Sequence, residues 1–466
     1  MRQRPNILFV MADQCRADAL GATNGWTRTP NLDRLAQEGV LFENAFTNAP
    51  ECVPARISLA LGRYPHETGV WENVRYTLDP GESTWMRAVE AAGYRTSVFG
   101  KTHLHPHEGD LRDRAGLMHA YGFQVVDETA GPHASASTMS AMTDSWAEAG
   151  LLERFRADIE ERARGKRHVV RPSPLGLEHY YDVYVGRRAV EHLSRLPPGE
   201  KWFCWVSFGG PHEPWDVPEP FASLYGERDV EPPLPRLAGH ERVGGLLRRA
   251  FDSPHYGPAL SAGDVSAMRA NYAGNVTLID QQIGAILETI RKRRELDETL
   301  VVFTSDHGEM NGDHGLLFKG NFLDAAIRIP LIVRPPLGTG AAAARRDRSL
   351  VELIDVGATI ADYAGAVRPA ASHAVSLRPA IEDAAPGPRD AAITEFLGHV
   401  ALIDAEWKIE LAPDETATLL FDRNRDPGEQ TNLAHDERHR AVVERLRARV
   451  RAFRAGSASA VSAGSA

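Results

Sequence analysis

The chain has 466 residues, 43% of them hydrophobic and 25% charged, with a formal net charge of −10. A single core stops growing at roughly 250–300 residues, so two domains are expected. The acidic balance argues against a nucleic-acid binder but leaves room for a local cluster of cations around a small anion. The three cysteines, Cys15, Cys52 and Cys204, are too few and too far apart for a disulfide framework or a zinc pattern.

In chain order, "NILFVMA" is a continuous apolar run that predicts a buried strand. "TPNLDRLAQEG" predicts a helix stopped by Gly39, and "VLFENAFT" the next strand. "ARISLALG" predicts a helix after Cys52, "STWMRAVEAAG" another that ends at Gly93, and "YRTSVFG" a strand. Residues 146–168 read as a charged helical excursion on the surface, and "KWFCWVSF" as a buried strand. Residues 211–260 are proline-rich and predict long loops. A long amphipathic helix begins near Met268, followed by the strands "TLVVFTS" and "PLIVRPP" and the helix "LVELIDVGATIADYAG". This alternation predicts an α/β domain over residues 1–370, with a mostly parallel sheet flanked by helices. Residues 371–455 change texture to short strands and one helix, which predicts a small antiparallel-sheet domain, and 456–466 are low-complexity and expected to be disordered.

No run reaches the ~18 apolar residues of a membrane helix. The N-terminal apolar run is too short for a signal peptide and lacks a small-residue cleavage site, so a cytoplasmic location is expected.

Ligands of open parallel sheets collect at the carboxyl ends of the strands. Two buried strands end in Asp13-Gln14 and Asp306-His307, a mixed oxygen and nitrogen set that suits either one metal ion or ordinary helix caps. Cys52 and Pro54 fall at a helix entrance, where unpaired N–H groups and the positive end of the dipole face outward, with Arg56 one turn on. That geometry suits an anion and a side chain that attacks it. A small buried thiol fits it equally well.

"CVPAR" followed by "LALGRYPHETG" closely resembles the signature of the sulfatase family. "PNILFVMADQ", "GYRTSVFGKTHL", "FGGPHEPW", "TSDHGEMNGDHGLLFKG" and "LFDRNRDPGEQTNLA" extend the resemblance along most of the chain. The resemblance implies an alkaline phosphatase-like α/β domain with a smaller C-terminal sheet domain. It implies that Cys52 is oxidised to formylglycine by a formylglycine-generating enzyme, whose hydrated aldehyde attacks the sulfur of a sulfate monoester. By the same resemblance Asp13, Gln14, Asp306, His307 and residue 52 hold one divalent metal. Arg56 holds the diol and the carboxylates, Lys101 and Lys319 neutralise the sulfuryl oxygens, His103 is the base that releases sulfate, and His212 is the acid for the leaving oxygen.

Many sulfatases carry a second aspartate where this chain has Gln14, and an asparagine where it has His307. Both changes resemble the branch of choline sulfatases and phosphonate monoester hydrolases, as does Asn73, which joins Lys101, His212 and Lys319 as a substrate-binding residue. A histidine ligand suits manganese alongside calcium, with magnesium third. Lys101 and His103 in "GKTH" keep the sulfatase pattern. The expected activity is therefore hydrolysis of an aryl, alkyl or sugar sulfate, with a phosphonate monoester or phosphodiester as the alternative substrate. Trp71, Trp215 and Tyr256 are candidate lining residues, His105 and His107 are expected on a solvated loop, and the oligomeric state is left open, a homo-oligomer included.

Overall fold

The computed structural model describes residues 4–164, 168–339, 345–369 and 371–464. Eight strands form the main sheet: β1 (Asn6–Asp13), β2 (Val40–Phe46), β3 (Arg95–Gly100), β4 (Val125–Glu128), β5 (Trp202–Pro211), β6 (Thr299–Ser305), β7 (Leu331–Arg334) and β8 (Arg345–Glu352). Their order is β4-β3-β5-β1-β6-β7-β2-β8. All neighbours are parallel except β7, which runs antiparallel to both β6 and β2.

β1 explains why its sequence is apolar without alternation. Leu8, Val10 and Ala12 enter one core, with the helices Tyr181–Arg195 and Ala262–Lys292. Ile7, Phe9 and Met11 enter the other, with the helices Cys52–Leu61, Trp85–Ala91 and Leu353–Ala364. A strand covered on both faces needs apolar residues at every position.

The second sheet is antiparallel, in the order β12 (Ala417–Asp422), β11 (Trp407–Leu411), β10 (His399–Ile403) and β9 (Ala392–Phe396). It braces the path to the Cys52 helix. Thr394 Oγ1 donates to the Thr47 carbonyl at 2.6 Å, and Glu395 N to the Asn48 carbonyl at 2.9 Å.

The elements depart from the sequence reading in four places. The expected helix beginning at Leu350 is strand β8 through Glu352 and helix only from Leu353. The charged 146–168 segment contributes Trp146, Phe155 and Ile159 to the core through the helices Ala141–Glu148 and Leu152–Arg164, and residues 165–167 lie outside the described residues. The 211–260 loops contain a helix, Gly245–Asp252. The last helix runs from Arg440 to Gly464, past the expected end at 455; residues 465–466 lie outside the described residues. Among the described residues, no helix is long and apolar enough to cross a membrane.

Candidate active site

Strand register brings the two polar pairs together. β1 and β6 are parallel neighbours with Ala12 opposite Ser305, so Asp13 and Asp306 leave the sheet at the same level. The Gln14 amide donates to Asp306 Oδ1 at 3.0 Å across that gap. β3 and β5 supply the other side of the site. Gly100 has φ +96°, and a Cβ there would lie 1.9 Å from the Ser207 carbonyl oxygen. Only glycine fits that close crossing, which delivers Lys101 to the centre.

The Cys52–Leu61 helix enters from the opposite face. All ten of its residues are buried, so it has no solvent-facing polar stripe, and its one charge, Arg56, is turned to the site. Its first turn carries Pro54, whose missing N–H costs nothing there. Asn73 Oδ1 accepts from the Val53 N–H at 2.9 Å, which anchors Asn73 one residue from Cys52.

Cys52 Sγ lies at the hub. It is 3.1 Å from His307 Nε2, 3.7 Å from Asp13 Oδ1, 3.3 Å from Lys319 Nζ and 3.6 Å from Lys101 Nζ. Ligand-type atoms of Asp13, Cys52, Asp306 and His307 all fall within 4.8 Å of one another, and all four residues are buried. Arg56, fully buried, spans both carboxylates, 3.0 Å to Asp13 Oδ2 and 2.8 Å to Asp306 Oδ2. Its remaining N–H groups reach the Lys101 carbonyl at 2.6 Å and Ser207 Oγ at 3.0 Å. Lys101 Nζ pairs with Asp13 Oδ2 at 2.5 Å.

Electrostatics separate Cys52 from the other two cysteines. Burial pushes the Cys204 thiol up to about 12 and the Cys15 thiol higher still. Burial acts on Cys52 too, but Lys101, Lys319 and His307 outweigh it and hold its thiol well below the usual range. This is the one cysteine position where the fold welcomes an anion. His103 is pushed the other way: burial, then the Lys101 and His107 charges, hold it well below 6.5, so its imidazole is neutral at pH 7.

The donor set fits a divalent cation. His307 Nδ1 donates to the Gly308 carbonyl at 3.0 Å, which leaves Nε2 with its lone pair toward the cluster. Two carboxylates supply the charge. The Gln14 carboxamide also reaches the site, its oxygen accepting from Lys319 Nζ.

His212 Nδ1 lies 2.7 Å from the Glu213 carbonyl oxygen. Tyr256 is half-buried and feels the Lys319 and Glu51 charges. Trp215 is only 2% exposed and stacks on Phe318, so it packs the core instead of lining a cleft. His105 and His107 are also corrected: the side chains of both are buried and grip the Glu128 carboxylate, at 2.8 and 3.2 Å.

Sequence reasoning missed Glu213 and Glu309, which both accept from Gln14 Nε2. Burial works against its ionised form, but the His212, Lys319 and His133 charges pull Glu213 down to about 2. Burial and the Glu213 charge push Glu309 up to about 7. Their signal was position inside "PHEPW" and "DHGEM".

Asp182, also missed, supports the His212 segment from below. Its Oδ1 accepts from the Gly210 N–H at 3.0 Å, and a Cβ on Gly210 would lie 2.4 Å from its Oδ2. Burial raises Asp182 to about 7 against bonds from Gly210 and Gly209, with Asp216 adding repulsion. The unfolded value is about 3.9, so the folded state holds the extra proton between about pH 4 and 7, and stability falls as pH rises through that window. Asp182→Asn should flatten the slope of Tm against pH there. An unchanged slope would show that Asp182 does not set it.

Fold and site together define a hydrolase of the alkaline phosphatase superfamily. The chain belongs to the sulfatase family, whose model matches residues 5–366. A second model, the C-terminal region of N-sulphoglucosamine sulphohydrolase, matches residues 312–456. An arylsulfatase of Clostridium perfringens is 29% identical, over 95% of this chain and 93% of that protein. A choline-sulfatase of Rhizobium meliloti is 28% identical, over 93% and 83%. The phosphonate monoester hydrolase of Agrobacterium radiobacter superposes with a TM-score of 0.82 at 28% identity, covering 97% of this chain and 96% of that one.

Proposed function

We propose that the protein hydrolyses a sulfate monoester, with Cys52 converted to formylglycine by a formylglycine-generating enzyme. One divalent cation would be held by Asp13, Gln14, Asp306, His307 and residue 52, manganese or calcium by the donor types. The observation that carries this reading is the ring around Cys52 Sγ: His307 Nε2 at 3.1 Å, Lys319 Nζ at 3.3 Å, Lys101 Nζ at 3.6 Å and Asp13 Oδ1 at 3.7 Å.

When bound, the cation and the aldehyde supply an activated hydroxyl nucleophile at position 52. The chain's own residues do the rest. Arg56 fixes both ligand carboxylates. Lys101 and Lys319 face the sulfuryl oxygens and stabilise charge that grows in the transition state. His103, kept neutral, accepts the proton whose loss releases sulfate. His212, with Nδ1 against the Glu213 carbonyl, keeps Nε2 for the leaving oxygen. Lys319→Ala should lower kcat by about 10²- to 10³-fold with the fold intact. A loss below tenfold would remove Lys319 from this role.

A second reading keeps the site and changes the substrate to a phosphonate monoester or phosphodiester. Asn73 favours it, held by the Val53 N–H beside residue 52, as does the likeness to the Agrobacterium radiobacter enzyme. Retention of Lys101 and His103 favours sulfate. The deciding measurement is the kcat/KM ratio for 4-nitrophenyl sulfate against a phenyl phosphonate ester. A ratio well above one supports the first reading, and its inverse the second.

A further inference from the structure

Gln14 stands out among the metal-facing residues because its side chain has polarity. A carboxamide keeps its shape when turned over, but it exchanges an acceptor for a donor. Turned one way, Gln14 offers an oxygen to a cation. Turned the other, it offers an NH2 group that repels it.

The surroundings allow one orientation. Gln14 is 1% exposed, and its Nε2 donates to Glu213 Oε2 at 2.9 Å and to Glu309 Oε2. A flip would set Gln14 Oε1 against the Glu213 carboxylate and take its NH2 group away from both acceptors. Neither acid can easily turn away. Glu309 is fully buried, and its Oε1 accepts from the backbone N–H groups of Asn311 at 2.8 Å and Phe318 at 2.5 Å. Glu213 Oε2 lies 3.1 Å from His212 Nδ1. With Nε2 so occupied, Gln14 Oε1 points to the centre, where Lys319 Nζ donates to it.

We propose that Glu213 and Glu309 are positioning residues that set the amide polarity of Gln14, so that its oxygen faces the cation. This rests on the metal-centre reading given above. Glu309 has a double hold, since the Phe318 N–H it accepts precedes Lys319. One acid thus orients both a ligand and a substrate-facing ammonium.

The test is calorimetric titration of chelator-stripped full-length protein with Mn2+ alone. In Glu213→Gln and Glu309→Gln, the introduced amide can donate to Gln14 and lets it turn over. Kd for Mn2+ should rise about 10- to 100-fold, as when other partners that orient metal ligands are lost. Values within twofold of wild type for both variants would overturn the proposal while leaving the metal centre intact. Uptake of neither Mn2+ nor, in a parallel titration, Ca2+ by wild type would overturn the metal-centre reading and this proposal together.

A second background separates polarity from mere support. In Gln14→Asp, both ligand atoms are oxygens, so no N–H donor is left for Glu213 or Glu309 to hold. Adding Glu309→Gln there should tighten Mn2+ binding relative to Gln14→Asp alone. Weakening in both backgrounds would reduce Glu309 to a structural prop and defeat the proposal.

Discussion

Cys52→Ala and Cys52→Ser should each lower kcat/KM by about 10³-fold or more, the scale seen when a nucleophile is removed from an integrated site. On the proposed chemistry Cys52 is a precursor, and the working group carries no thiol. The active protein should therefore resist thiol-blocking reagents. Cys15 and Cys204 do not confuse this result, since both are buried at 1% and 0% exposure. The peptide containing residue 52 should be lighter than its cysteine form by roughly 18 Da, the difference between CH2SH and an aldehyde. Inactivation by such a reagent, traced to residue 52, would refute the account.

Arg56→Met should cost stability as well as turnover. Arg56 is the fully buried cation between Asp13 and Asp306, and its removal leaves Asp13 with Lys101 and Asp306 with the backbone N–H groups of Gln14 and His307. Breaking a buried pair of this kind costs about 3–5 kcal/mol. A divalent cation can take over part of that compensation, so Mn2+ should raise Tm more in Arg56→Met than in wild type. Equal shifts in the two proteins would mean that Arg56 and the cation do not share the carboxylates.

Much of this site was legible because its residues sit in short stretches with distinct chemistry. Asp13 and Asp306 followed apolar runs that had to be buried strands, and register then placed them side by side. Cys52 and Arg56 were one turn apart on a helix whose start Pro54 marked. Local pattern left Cys52 undecided between an inert thiol and an anion site. The deciding groups, Lys101 and Lys319, come from distant elements, and only their convergence on Sγ settles how that position is charged. The supporting acids were hidden for a different reason. Glu213, Glu309 and Asp182 look like ordinary surface carboxylates in sequence, and burial against Gln14 or Gly210 appears only once strands, loops and a helix are packed. His105 and His107 were expected on a solvated loop, while Glu128 at the end of β4, distant in sequence, draws both inward. β4 and the helix Tyr181–Arg195 went unread: the strand is only four residues long, and the helix was not recognised in its segment.

If Cys52 is converted as proposed, its burial also fixes an order of events in the life of the molecule. At 2% exposure, on a helix with no exposed residue, its side chain lies beyond the reach of any second enzyme once the chain has folded. On the proposed chemistry, oxidation to the aldehyde would then have to happen on the nascent or unfolded chain, in a race against collapse of the two cores that enclose the sheet. A chain that folds first is locked in the thiol form, and supplying the oxidising enzyme afterwards comes too late. The specific activity of a preparation would then record how that race was run during synthesis, and only unfolding could reopen it.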